Sequence, residues 1–188
     1  MAQPLDEKKS LKVTAEKFKA KLSKIKVCIF DIDGILTDGK ISWEGDDVGF
    51  NRTTHALDGH GLKMMMAAGL KVGVISGGDS IGVRKRFIDN LKLDFVYLGN
   101  EDKRESYLKV LALGYKDEEV LYMADEFIDM PILQRAGFSA TVPNASLEIQ
   151  EIVDYITIRE AGDGCAREVI DILRYAQNIP LQLLEFVK

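Results

Sequence analysis

Cysteine is almost absent from this chain: 188 residues carry two, Cys28 and Cys165. Two thiols cannot build a disulfide framework, and Cys28 lies inside the apolar run Val27-Cys28-Ile29-Phe30, where it reads as a small core residue. Histidine is equally scarce, and His55 and His60 are not spaced as a metal pair. No apolar run approaches the roughly 18 residues of a membrane span, and the N-terminus has no stretch fit for a signal peptide. A cytoplasmic protein is the expectation. Positive charge is in deficit, 25 Lys and Arg against 30 Asp and Glu, and a net charge of −5 argues against nucleic acid or an anionic membrane as partner. There is no repeat, low-complexity tract or linker, so residues 1–188 read as one domain, long enough for a substantial core.

What is present is an alternation. Short apolar runs at Lys26 to Phe30, Lys71 to Ile75, Phe95 to Leu98, Val120 to Met123, Ser139 to Val142 and Tyr155 to Ile158 read as strands covered on both faces. Between them, Gly59 to Ala68, Ile81 to Asn90, Ser106 to Leu113, Met130 to Ala136 and Ala145 to Ile152 carry helical patterns. Parallel strands need crossovers, so the fold class is α/β, a doubly wound, mainly parallel sheet. One stretch breaks the rhythm. Residues 38–54, with turn-rich Gly45-Asp46-Asp47 between two short β-like segments, read as a hairpin inserted after the first strand. Its Trp43 and Phe50 call for burial, on the parent domain or on another subunit. Residues 1–23 read as an amphipathic segment with Leu11, Val13, Phe18 and Leu22 on its apolar side. Residues 178–188 form an apolar tail, packed on its own domain or frayed.

In open α/β sheets, ligands bind outside the carboxyl ends of the strands. Those ends carry Asp31 and Asp33, then Ser76-Gly77-Gly78, then Lys103, then Asp125, Glu126 and Asp129. A lone aspartate after a strand is an ordinary cap or turn residue. Two carboxylates in Asp31-Ile32-Asp33-Gly34, directly after a buried strand, repel each other and need a further reason. Phosphoryl transfer supplies one. Asp31 could attack phosphorus and Asp33 could exchange a proton with the leaving oxygen. Ser76, the amides at Gly77 and Gly78, and Lys103 could hold the phosphate. A hard cation such as magnesium is content with a few carboxylates because it keeps several waters.

With these residues assembled, the chain resembles the haloacid dehalogenase superfamily of phosphotransferases. FDIDGILTDG is similar to its first motif, the VGVIS run ending at Ser76 to its second, Lys103 to its third and ADEFID at Ala124 to Asp129 to its fourth. A finer resemblance, to the 3-deoxy-D-manno-octulosonate 8-phosphate phosphatases, rests on Leu36-Thr37-Asp38-Gly39, Phe50, the DGHGLK stretch at Asp58 to Lys63 and REAGDGCARE at Arg159 to Glu168. The resemblance implies Asp31 as nucleophile and Asp33 as acid/base. It also implies magnesium on Asp31, the Asp33 backbone carbonyl and Asp125, and a phosphoryl group on Ser76, Gly77 and Lys103. Thr37, Arg52, His60 and Gly78 are candidate substrate contacts, with Arg84 beside Arg52 as a candidate for a substrate carboxylate. The implied partner is a small sugar phosphate, and the implied assembly is a homotetramer joined through the hairpins, with the C-terminal tail reaching a neighbour's site.

Two departures from the family pattern stand out. The fourth motif reads Ala124-Asp125-Glu126 where Gly-Asp-Asp is usual, and Gly78 replaces a common arginine. These leave two alternatives open, a phosphatase for a nine-carbon nonulosonate 9-phosphate and a catalytically silent scaffold; a third is a phospho-acceptor signalling domain, which also keeps acidic residues and a lysine at strand ends. The DxDG spacing and the hairpin argue against the last.

Overall fold

A computed structural model describes residues 4–181. The chain opens with helices α1 (Pro4–Lys17) and α2 (Lys19–Leu22), then β1 (Val27–Phe30), the hairpin strands β2 (Ser42–Trp43) and β3 (Phe50–Asn51), and α3 (Ala56–Ala67). It continues through β4 (Lys71–Ser76), α4 (Ile81–Arg84), β5 (Phe95–Leu98), α5 (Lys103–Leu111), β6 (Val120–Met123) and α6 (Met130–Leu133). Last come β7 (Phe138–Thr141), α7 (Leu147–Ile152), β8 (Tyr155–Ile156) and α8 (Cys165–Ala176). Six parallel strands form one sheet in the order β5-β4-β1-β6-β7-β8. The doubly wound reading of the sequence is borne out.

Side chains alternate across the sheet and divide the core in two. Cys28 and Phe30 of β1 join Val72, Val74, Leu121 and Met123 under α1, α3 and α8. Val27 and Ile29 face the other way, with Ile75, Val120 and Tyr122 under α5, α6 and α7. Both faces are covered, which is why the strands read as unbroken apolar runs. Helix α1 packs on α8 through Leu11 and Ala15, whereas Val13, assigned to the apolar side from the sequence, is 70% exposed. Positions 11, 15, 18 and 22 keep the helical period and residue 13 falls outside it. No helix among the described residues is long and apolar enough to cross a membrane.

The strand order places the site. The chain runs from β1 outward through β4 and β5, then returns to β6 on the other side of β1. That reversal opens a crevice between the carboxyl ends of β1 and β6, the usual ligand position in such sheets. Immediately after β1 the backbone turns at Gly34, whose φ is +87°. A Cβ there would overlap the Asp125 carboxylate, so glycine is required twice, for its conformation and for the approach of the first acidic residue after β6.

The insertion after β1 is a hairpin, with Ser42 opposite Asn51 and Trp43 opposite Phe50, and a Thr37–Thr54 bridge at its base. The Trp43 and Phe50 rings meet edge to face at 5.0 Å, yet each is more than half exposed. They pack on each other and not on the parent domain. Part of the expected tail, residues 182–188, lies outside the described residues; Ile179 packs against the core.

Gly73, in the middle of β4, sits opposite Phe95 of β5, and a Cβ there would run into the Phe95 ring and carbonyl. Gly73→Ala is therefore expected to overpack the second core. Stability should fall by about 1–3 kcal/mol, read as a lower midpoint of urea unfolding with an unchanged slope.

Candidate active site

Asp31 leaves β1 with its carboxylate almost completely enclosed. One oxygen accepts the Ile32 amide at 2.7 Å and the other lies 2.9 Å from the Lys103 ammonium. Lys103, on the first turn of α5, is 1% exposed and bridges Asp31 and Asp129, again at 2.9 Å. Asp129 also accepts a hydrogen bond from the buried Tyr122 hydroxyl. Two of the three ammonium hydrogens are thus committed, which leaves one for a ligand. Burial pushes the Asp31 carboxyl up to about 7; Lys103 opposes the rise and Asp129 adds to it. Burial works against the Lys103 charge, but the two carboxylates outweigh it and its pKa is raised.

Asp33 is more open and is held from the hairpin side. Arg52 donates Nε to one of its oxygens at 2.6 Å and Nη2 to the other at 2.8 Å. Ser76, at the end of β4, is buried, and its hydroxyl accepts the Gly78 amide at 3.2 Å. Asp31, Asp33, Arg52, Ser76, Gly77, Gly78, Lys103, Glu101 and Asp125 surround one open cavity of about 440 Å³.

The donor set fits a hard divalent cation. Asp125 has a buried Oδ1 with no hydrogen-bond partner, an arrangement that costs free energy unless something positive approaches it. Burial also pushes its carboxyl up to about 6, with Asp129 adding to the rise. Among the described residues no three Asp, Glu, His or Cys side chains converge as a complete ligand cage. Two carboxylates and a backbone carbonyl with retained waters suit magnesium; they would not suit zinc.

A haloacid dehalogenase-like hydrolase family model matches residues 93–169. The 3-deoxy-D-manno-octulosonate 8-phosphate phosphatase of Haemophilus influenzae is 33% identical over 159 residues, 84% of this chain and 87% of that protein. The chain belongs to the haloacid dehalogenase-like hydrolases. It is a phosphatase. Its fold superposes on a Moraxella catarrhalis 3-deoxy-D-manno-octulosonate 8-phosphate phosphatase solved with magnesium ion, phosphate ion and KDO, with TM-score 0.81, 29% identity, and 87% of this chain and 93% of that one covered. A cobalt-bound deoxy-D-mannose-octulosonate 8-phosphate phosphatase from Haemophilus influenzae gives TM-score 0.79 and 33% identity, over 84% and 92% of the two chains.

In this haloacid dehalogenase-like site the two departures in the fourth motif fall on tolerant positions. Ala124 is buried in the second core, and its methyl is absorbed there. Glu126 is exposed and caps the following turn through the Phe127 amide at 2.7 Å.

Three candidates lie away from the cavity. Thr37 is fully buried, its hydroxyl bound to the Ile32 carbonyl at 3.1 Å, and it borders a smaller cavity of about 210 Å³ behind Arg52. His60 must be corrected: on α3 the residues turned inward are Asp58, Gly59, Gly61 and Leu62, so His60 points to solvent. Arg84 must be corrected too, since it pairs with Asp79 on the surface, while Arg86 from the following turn borders the smaller cavity. Asp58 of the DGHG stretch instead ties down α8, accepting the Arg167 amide at 2.7 Å.

The sequence places Asp129 among the strand-end carboxylates but does not reveal its pairing with Lys103 and Tyr122, and it gives no sign of Tyr122. Tyr122 was hidden inside an apolar strand, where a buried phenol always needs a partner.

Asp31 and Asp125 hold protons more tightly folded than their ordinary value of 3.8 allows unfolded. The stability this contributes is full below about pH 4 and is lost as pH rises through 6 and 7. The chelator-treated protein is therefore expected to lose melting temperature across that window in calorimetry. Magnesium should restore more at pH 8 than at pH 5.5, and Asp125→Asn should flatten the slope. Equal magnesium stabilisation at both pH values would contradict the assignment.

Proposed function

We propose that this phosphatase is magnesium-dependent and hydrolyses 3-deoxy-D-manno-octulosonate 8-phosphate through an aspartyl-phosphate intermediate. The observation that carries the reading is the buried Asp31 carboxylate, held by Lys103 at 2.9 Å at the end of β1 beside the partnerless Oδ1 of Asp125. An Asp31 oxygen bonds to phosphorus as the bond to the sugar oxygen breaks, and Asp33 gives its proton to that oxygen. Water then attacks phosphorus, gives a proton to Asp33 and frees Asp31 and inorganic phosphate. Lys103 and Ser76 hold the phosphoryl oxygens. Asp31, the Asp33 carbonyl and Asp125 would hold magnesium, which neutralises charge on the transferring group.

The choice of sugar is supported by the similarity to the Haemophilus influenzae and Moraxella catarrhalis phosphatases. The exposed Trp43–Phe50 pair is the surface we assign to contact between copies in a homotetramer.

Asp31→Asn is expected to retain the far-ultraviolet circular dichroism spectrum and to lose phosphate release by roughly four orders of magnitude or more, the scale seen when a nucleophile is removed. Chelation should silence the wild type and magnesium should restore it. Normal turnover by Asp31→Asn would sink the mechanism. Preferential turnover of a nine-carbon 9-phosphate would move the substrate and leave the chemistry in place.

A further inference from the structure

Arg52 reads from the sequence as a handle for a substrate carboxylate, but its guanidinium is already spent. Nε and Nη2 grip the two oxygens of Asp33, and Nη1 reaches the Phe50 carbonyl at 3.2 Å and the Ser80 hydroxyl at 3.5 Å. One N–H is uncommitted, too few for the two-pronged grip that makes arginine a carboxylate receptor. The side chain is 6% exposed and crosses from β3 to the loop after β1.

Gly78 makes this crossing possible. A Cβ at position 78 would stand 2.7 Å from Arg52 Nη2 and 2.9 Å from Asp33 Oδ2, closer than real contacts allow. Any side chain there would intrude on the fork. The space vacated at Gly78 therefore holds a guanidinium after all, supplied by the hairpin.

We propose that Arg52, admitted by Gly78, is a positioning residue that orients Asp33 toward the leaving-group oxygen. The proposal rests on the acid/base reading of Asp33 given above. Each Asp33 oxygen has two lone pairs, and Arg52 occupies one on each. Asp33 lines the cavity, so the remaining pairs can carry the proton that passes to the departing oxygen as its bond to phosphorus breaks. A carboxylate fixed at both oxygens keeps one rotamer, and misplacement by about 1 Å can cost about a hundredfold in rate.

The test separates esters by their need for a proton. A sugar alkoxide must be protonated as it leaves, whereas dinitrophenolate departs without help. Arg52→Gln and Gly78→Ala are expected to lower kcat on 3-deoxy-D-manno-octulosonate 8-phosphate, or another alkyl phosphate the enzyme accepts, by about ten- to a hundredfold. In the first turnover of 2,4-dinitrophenyl phosphate, read as the burst of dinitrophenolate that precedes the water step, both should stay within about threefold of wild type, while later turnovers slow because Asp33 is also the base for water. Arg52→Lys should restore part of the loss. Gly78→Ala folds, because the atoms it displaces are the ends of flexible side chains and its φ lies outside the left-handed region. A loss in the dinitrophenolate burst equal to the loss on the alkyl ester would reduce Arg52 to a structural tie and overturn the proposal. A raised KM for the sugar acid with unchanged kcat would return it to a substrate contact. Asp33→Asn is the control. If it shows the leaving-group signature and the Arg52 and Gly78 variants do not, the proposal alone fails; if Asp33→Asn shows none, the acid/base reading fails first.

Discussion

The arrangement turns on one ammonium group. Lys103 sits almost fully buried between Asp31 and Asp129, and removing it would leave two buried carboxylates facing each other. Breaking a buried ion pair in this way typically costs about 3–5 kcal/mol. The cluster tolerates burial because its charges are satisfied: Ile32 donates to Asp31, Tyr122 to Asp129, and the ammonium to both. It is nevertheless short of positive charge. Two carboxylates share one lysine, and Asp125 adds a third negative group whose inner oxygen has no donor. That deficit is what a divalent cation and a phosphate site answer together.

The sheet topology and this electrostatics are one design. The reversal of strand order between β1 and β6 brings Asp31 and Asp125 to adjacent strand ends, and Gly34 removes the side chain that would keep them apart. The hairpin then reaches back over the same edge with Arg52. Asp31 is thus controlled from the core by Lys103, and Asp33 from the rim by Arg52. The two aspartates of DxDG end in different environments: one enclosed with its pKa raised by burial, the other partly open and held by a guanidinium. Different surroundings are what allow two neighbouring carboxylates to take different chemical parts.

How far the sequence disclosed this depended on the range of the signal. The strands were legible because burial on both faces leaves continuous apolar runs, and Asp31, Asp33, Ser76, Lys103 and Asp125 were legible because strand ends gather at one edge. Side-chain direction was less so. His60 and Arg84 were drawn toward the site by their position along the chain, but helical phase turned both outward, and Val13 failed for the same reason. The Arg52–Asp33 fork joins residues 19 apart across an inserted hairpin, and no local pattern announces it. Gly78 looked like a loss, a missing arginine. Only in three dimensions does it become the space that another arginine fills.

The proposed mechanism stands or falls on an Asp31 oxygen as the acceptor of the phosphoryl group. Turnover in the presence of magnesium, quenched in acid and reduced with borohydride, converts an aspartyl phosphate to homoserine. Peptide mass spectrometry should find homoserine at position 31, and find it only when substrate and metal were both present. Homoserine at another position, or none under conditions where phosphate is still released, would contradict that mechanism.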